Sequence, residues 1–166
     1  MADAASIQTD LESHHIEGYA IADPQRRKFS MPLISHIEDN LWTGGCIDKA
    51  RLPDDFAWVV SLYPWEQFTL GPDTQRIEIE MYDHDGMPDL TLLHQTAEAV
   101  VLAVAEGKTL VHCQAGLNRS GLVAALALVK MGRTPDEAID LLRAKRGPVV
   151  LCNRTFVTWL REQTDG

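Results

Sequence analysis

The stretch 108–129, "KTLVHCQAGLNRSGLVAALALV", constrains the fold more than any other part of the chain. It opens as a short apolar, β-branched run, the pattern of a buried strand. It closes as a helix from about Arg119 to Met131 that is apolar nearly all round, and only a central position can bury such a helix. A tight loop, 113–118, is all that joins the two. Elsewhere strands and helices alternate. Leu33–Ile37 and Leu41–Thr43 read as strands around an Asp39–Asn40 turn, "AWVVSL" (57–62) as a buried strand, and "RIEIEMY" (76–82) as a half-exposed one. A helix over 90–106 carries Leu93, Ala97, Val100, Val101 and Val104 on one stripe, with Asp89 as its cap and Gly107 as its stop. "TPDEAIDLLRAKRG" has Thr134 as cap, Pro135 at the first turn, Glu137 to close a capping box and Gly147 at its end. A last helix over 153–163 buries Phe156, Trp159 and Leu160. This order predicts an α/β fold, with a central, mainly parallel twisted sheet flanked by helices on both faces in a single domain.

Residues 1–30 are polar, acidic and weakly periodic, so a loosely ordered arm is expected there, with a short strand at "GYAIA". Residues 31–166 form the expected domain; 166 residues suffice for one core. The net charge of −9 argues against broad binding to nucleic acid or anionic membrane, since both need a basic face. Cys46, Cys113 and Cys152 are odd in number and show no CxxC spacing, which predicts free thiols rather than a disulfide framework or a thiolate zinc site. Adjacent His14 and His15 point apart, so no metal is expected at that pair. The opening residues lack the apolar core of a secretory leader. The longest apolar run, 122–129, is far below the ~20 residues of a membrane span. A cytoplasmic, monomeric protein is the expectation.

Ligands of open α/β sheets bind beyond the carboxyl ends of the strands, and Cys113 stands at such an end. Gln114, Ala115, Gly116, Leu117 and Asn118 follow it directly into a helix. Amides at a helix start have no helical partners, and the helix dipole adds positive potential, so this loop is expected to cradle phosphate. Gly116 lets the backbone curl, and Arg119 supplies a planar fork matched to two phosphate oxygens. Thiols near helix N-termini and cations ionise more readily than free ones, which makes Cys113 a candidate nucleophile beneath the bound phosphoryl group. Ser120 can donate its hydroxyl to the sulfur when the sulfur must leave. His112 is read as a residue that fixes the loop's geometry, not as a base. The leaving oxygen needs a proton, and the loop "DHDGMPD" (83–89) offers carboxylates. Asp89 serves as a helix cap. Asp83, at a strand end, is the preferred acid, with Asp85 and His84 as alternatives. Tyr63, Pro64, Trp65 and Glu66 follow a strand end and either line the pocket or pack. Arg143, Lys145, Arg146 and Arg154 gather near a helix end, where they complement its dipole or meet a second phosphate.

"VHCQAGLNRSG" resembles the signature loop of the cysteine-dependent protein phosphatases, specifically the dual-specificity group. "HIEDNLWTGG" resembles that group's opening strands, "WVVSL" its next strand and "NRTFVTWL" its closing helix, a similarity spanning about residues 33–162. The resemblance implies a phosphocysteine mechanism with no metal or other cofactor. It also implies a general acid four residues past an isoleucine, the places that Asp83 and Ile79 occupy. Asn118 departs from the Ser or Gly of most members; asparagine occurs there in the RNA 5′-triphosphatase branch. The expected function is a phosphoprotein phosphatase acting on phosphotyrosine and also on phosphoserine or phosphothreonine. Hydrolysis of RNA 5′-triphosphate or of a lipid or small-molecule phosphate, and an inactive phosphate-binding module, are the alternatives. Arg119 is the one cation within the loop, which disfavours a polyphosphorylated headgroup.

Overall fold

The computed structural model of the chain describes residues 11, 14–20, 22–82 and 86–163. Seven strands and four helices lie within them: β1 (His15–Tyr19), β2 (Lys28–Pro32), β3 (Ile34–Glu38), β4 (Leu41–Gly44), β5 (Trp58–Ser61), β6 (Gln75–Glu78), α1 (Leu90–Glu106), β7 (Thr109–His112), α2 (Arg119–Lys130), α3 (Pro135–Lys145) and α4 (Arg154–Arg161). The main sheet has the order β3-β4-β7-β5-β6. β3 and β4 run antiparallel, while β4 with β7, β7 with β5, and β5 with β6 are parallel. The mainly parallel sheet read from the sequence is therefore present, with β7 at its centre.

Strand alternation divides the core. Val60 and Val111 face the layer of α1–α4, where α2 is buried from Ser120 to Val129. Val59 and Leu110 face the other way, onto Leu33, Leu52, Phe56 and Phe68. On that second face, among the described residues, the cover comes largely from irregular chain, joined by Leu11. The stretch 62–74 carries two prolines and a glycine and joins β5 to β6 as a loop, with Phe68 plugged into the sheet.

The predicted caps are present. Asp89 accepts from the Leu92 amide at 2.9 Å, and Thr134 and Glu137 form a reciprocal capping box. The strand expected over 76–82 is shorter, ending at Glu78. Within the arm expected over residues 1–30, the described residues include a regular element. Residues 15–19 and 28–32 pair as an antiparallel ribbon, in a register that joins His15 to Pro32 and Tyr19 to Lys28. The strand starts three residues before "GYAIA" and ends at Tyr19, because Asp23 builds the turn that follows. Its carboxylate accepts from the amides of Gln25 and Arg27 and from Arg27 Nε, at 2.9–3.0 Å. The Arg27 guanidinium, with these amides, holds the Asp23 carboxyl below the usual carboxylate range.

Candidate active site

The centre of the molecule is built where β7 ends. Gly44 and Ser61 flank His112 in register on the two neighbouring strands, and the Cys113 amide donates to Gly44 O at 3.2 Å. The chain then turns up through 114–118. Its carbonyls are all bound to the body of the protein. Gln114 O accepts from the Cys46 amide at 3.0 Å and Leu117 O from the Leu151 amide at 3.0 Å. Ala115 O accepts from Arg146 Nη2 at 3.0 Å and Gly116 O from Arg146 Nε at 2.8 Å. In a planar trans peptide the next residue's N–H points opposite to the carbonyl. Pulling four successive carbonyls outward therefore turns the amides of Ala115, Gly116, Leu117 and Asn118 toward the inside of the loop, the concave arrangement that binds anions.

The sulfur sits at the floor of this loop, with Cys113 1% exposed. The Gly116 amide donates to Sγ at 3.2 Å, and Ser120 Oγ lies 3.4 Å from it. Gly116 has φ +76, and a Cβ there would strike the Gly44 carbonyl carbon at 2.4 Å and Arg146 Nη2 at 2.6 Å. A Cβ on Gly45 would meet Gln114 O at 2.7 Å, so the glycine that follows β4 lets the loop approach, while a Cβ on Gly44 would meet Leu33 O at 2.5 Å on the side of the neighbouring strand β3.

Arg119 hangs beside the loop. Nη1 donates to Met81 O at 3.3 Å, and the guanidinium stands 5.1 Å from the Tyr63 ring centroid. Its Nε is buried with no hydrogen-bond partner among the described residues. Tyr63 stacks obliquely on Trp65, and Trp65 on Tyr82, at centroid distances of 5.0 and 6.0 Å. Trp65 and Tyr82 are exposed, so Trp65 belongs to an open aromatic wall beside Arg119 rather than to the core. Asp83, His84 and Asp85 lie outside the described residues. Asn118 leaves the start of α2 without a side-chain cap. Its side chain instead reaches Cys152 Sγ at 3.4 Å and accepts from the Asn153 amide at 2.9 Å. Here the asparagine ties the loop to the segment entering α4.

The residue that the sequence analysis missed is Arg146. With Arg143, Lys145 and Arg154 it was expected to complement a helix dipole or to meet a second phosphate. It is instead 5% exposed beneath the loop, also donating to Pro32 O at 2.7 Å and Ser35 Oγ at 3.0 Å. Burial lowers its pKa to about 10, so it remains a cation at neutral pH. Arg143 Nε and Nη2 donate to Val150 O and Leu151 O at 2.9 and 3.0 Å. Burial raises the Cys46 thiol to about 12, leaving it protonated beside the loop. Among the described residues no group of His, Cys, Asp and Glu is arranged to hold a metal.

His112 is fully buried, with its ring edge-on to Phe68 at 5.1 Å and Nδ1 3.3 Å from Cys113 O. A carbonyl accepts only from a protonated Nδ1, so the neutral ring carries its proton there. Burial pushes the pKa from 6.5 down to about 4. Between those values the unfolded chain binds a proton that the folded one does not. Stability is therefore full above pH 6.5 and falls as the pH drops toward about 4, by on the order of 3 kcal/mol. Urea denaturation of the wild type and of His112→Gln at neutral and acidic pH checks this. The variant is expected to show the shallower pH dependence, and equal slopes would contradict the assignment.

The sequence profile of the family described as dual specificity phosphatase, catalytic domain, matches residues 56–165. The chain is 39% identical over 82 residues to mouse protein tyrosine phosphatase domain-containing protein 1, covering 45% of this chain and 11% of that one. It is 42% identical over 83 residues to human cyclin-dependent kinase inhibitor 3, covering 48% and 39%. The chain thus spans a minor part of the curated relatives it matches. Among solved structures, a mouse putative dual specificity phosphatase complexed with zinc tungstate superposes with TM-score 0.67 at 21% identity, over 87% of this chain and 92% of that one. Human DUSP28 superposes with TM-score 0.68 at 21% identity, over 79% and 92%. A profile match over most of the chain, joined to this fold, shows that the chain belongs to the dual specificity phosphatase family of cysteine-dependent phosphatases.

Proposed function

We propose that this chain hydrolyses phosphate monoesters on proteins, phosphotyrosine first and phosphoserine or phosphothreonine as well, through a phosphocysteine on Cys113. The observation that carries the reading is the Arg119 guanidinium, anchored by Nη1 on Met81 O while Nε is buried with no hydrogen-bond partner among the described residues. An unpaired buried donor is costly unless something accepts from it, and a phosphoryl oxygen is suited to do so. The loop amides and Arg119 would hold three phosphoryl oxygens. Cys113 Sγ attacks phosphorus, the S–P bond forms and the P–O bond to the substrate breaks. Asp83 gives its proton to the leaving oxygen; Asp85 is the alternative donor. Water then attacks phosphorus, its proton passes to the same carboxylate, and the S–P bond breaks as Ser120 donates to the departing thiolate. His112 acts by shaping the loop through the Cys113 carbonyl.

The aromatic wall of Tyr63, Trp65 and Tyr82 supports an aryl ester or a peptide lying across the mouth. The net charge of −9 speaks against RNA. The names of the relatives above, which include tyrosine phosphatase, agree with a phosphoprotein substrate. Side-by-side turnover of phosphotyrosine peptide, phosphothreonine peptide, 5′-triphosphate RNA and phospholipid tests the reading. The peptides are expected to lead; faster turnover of RNA or lipid would overturn it, as would phosphopeptide binding without turnover. Asp83→Asn should lower kcat by about 10²-fold or more on alkyl phosphates and least on good leaving groups. That pattern in Asp85→Asn instead would move the acid.

Arg146 is a positioning residue in this scheme, since it touches loop carbonyls and not the phosphoryl group. Arg146→Met is expected to lower kcat by about 10²-fold, comparable to losing one oxyanion donor, because the Ala115 and Gly116 peptides lose what orients them. Arg146→Lys should recover part of that loss. Kinetics paired with thermal melts separate this role from simple stability. A variant with a lowered melting temperature and unchanged kcat would make Arg146 purely structural.

A further inference from the structure

Between the β1–β2 connection and helix α4 lies a hollow of about 330 Å³, lined by Asp23, Arg27, Arg143, Cys152, Arg154 and Arg161 among others. In a chain of net charge −9, four guanidinium groups meet there. Asp23 is the lone lining carboxylate among the described residues, and it is already committed to Arg27 Nε and two backbone amides. Arg161 meets Asp136 at 3.0 Å, with side chains 57% and 69% exposed, so that pair neutralises little. Arg143 is pinned to the carbonyls of Val150 and Leu151. Burial, then the nearby Arg161 and, less, Arg27, lower its pKa against the opposing charge of Asp140. Arg154 makes no hydrogen bond or ion pair among the described residues. The phosphatase chemistry uses none of these four side chains.

Like charges held this close repel, and a bound anion would relieve that repulsion. Guanidinium groups present planar forks that match the oxygens of phosphate. The hollow is larger than a bare phosphate. We propose that it is a second anion site, separate from Cys113, that takes a small phosphate monoester with its phosphoryl group among Arg143, Arg154 and Arg161. The site adjoins the catalytic loop without being part of it. Cys152 lines the hollow, and its sulfur receives the Asn118 side-chain amide at 3.4 Å.

Arginine side-chain NMR of the full chain tests this directly, titrating first inorganic phosphate and then phosphoserine, with Cys113→Ser in place to prevent turnover. The Arg119 Nε–H signal reports the catalytic loop, and the Arg143, Arg154 and Arg161 signals report the hollow. The two sets should saturate at different concentrations, with phosphoserine binding the hollow at least as tightly as phosphate. Arg154→Ala combined with Arg161→Ala should weaken the hollow's affinity by about tenfold or more and leave the Arg119 titration unchanged. In the background that retains Cys113, aryl phosphate kcat/KM should stay within about twofold. No saturable shift of the three hollow arginines at tens of millimolar phosphate would overturn the site. Binding of phosphate but not phosphoserine would overturn the monoester. Failure of the phosphatase reading would show elsewhere, as an Arg119 signal that does not respond.

Discussion

Cys113→Ser is expected to abolish turnover of an aryl phosphate, by on the order of 10⁴-fold or more, while vanadate or phosphate still binds. The loop amides are aimed by carbonyl bonds to Cys46, Arg146 and Leu151, and none of those bonds involves the sulfur. The cradle therefore survives the exchange. A serine hydroxyl in place of the sulfur keeps the size but not the chemistry. It is far less acidic than a thiol, and the single amide donated by Gly116 cannot make it an alkoxide near neutral pH. Steady-state turnover and calorimetric titration with phosphate check the two halves. Persistent turnover in the variant would place the nucleophile elsewhere.

Arg119→Ala is expected to cost both binding and rate, about 10³-fold or more in kcat/KM. The guanidinium does two jobs that an ammonium cannot combine. Nη1 holds the Met81 carbonyl, which fixes the plane of the fork, and Nε is buried with no hydrogen-bond partner among the described residues. Arg119→Lys keeps the charge and loses the fork, so it should restore little. Kinetics on the three proteins decide the matter; recovery by lysine to within about tenfold of wild type would mean that charge alone suffices.

Much of this arrangement was legible in the residues because it depends on local rules. The all-apolar helix after Cys113 had to be central, and α2 is buried along nearly its whole length. Thr134, Pro135 and Glu137 formed the capping box that their spacing required. Gly116 has the positive φ that a curled loop demands. Features that depend on distant partners were not legible. Arg146 stands at a helix end in sequence, where a cation complements a dipole. Its contacts with Ala115 and Gly116, about 30 residues away, appear only when α3 packs under the loop. The β1–β2 ribbon was missed because Asp23 organises its turn through side-chain bonds, in a stretch too polar to show strand periodicity. Nothing local in the sequence marks Gly45 as the residue that admits Gln114 and Ala115 against the chain just past β4.

The central claim is that oriented amides place a phosphoryl group above a Cys113 thiolate, which takes it covalently. Rapid acid quench during turnover, followed by mass spectrometry of the peptide containing Cys113, tests this step itself. The account predicts a phosphoryl group on Cys113 that appears with substrate and is lost on dephosphorylation. Full turnover with that peptide unmodified at every quench time, or the phosphoryl group on another residue, would contradict it.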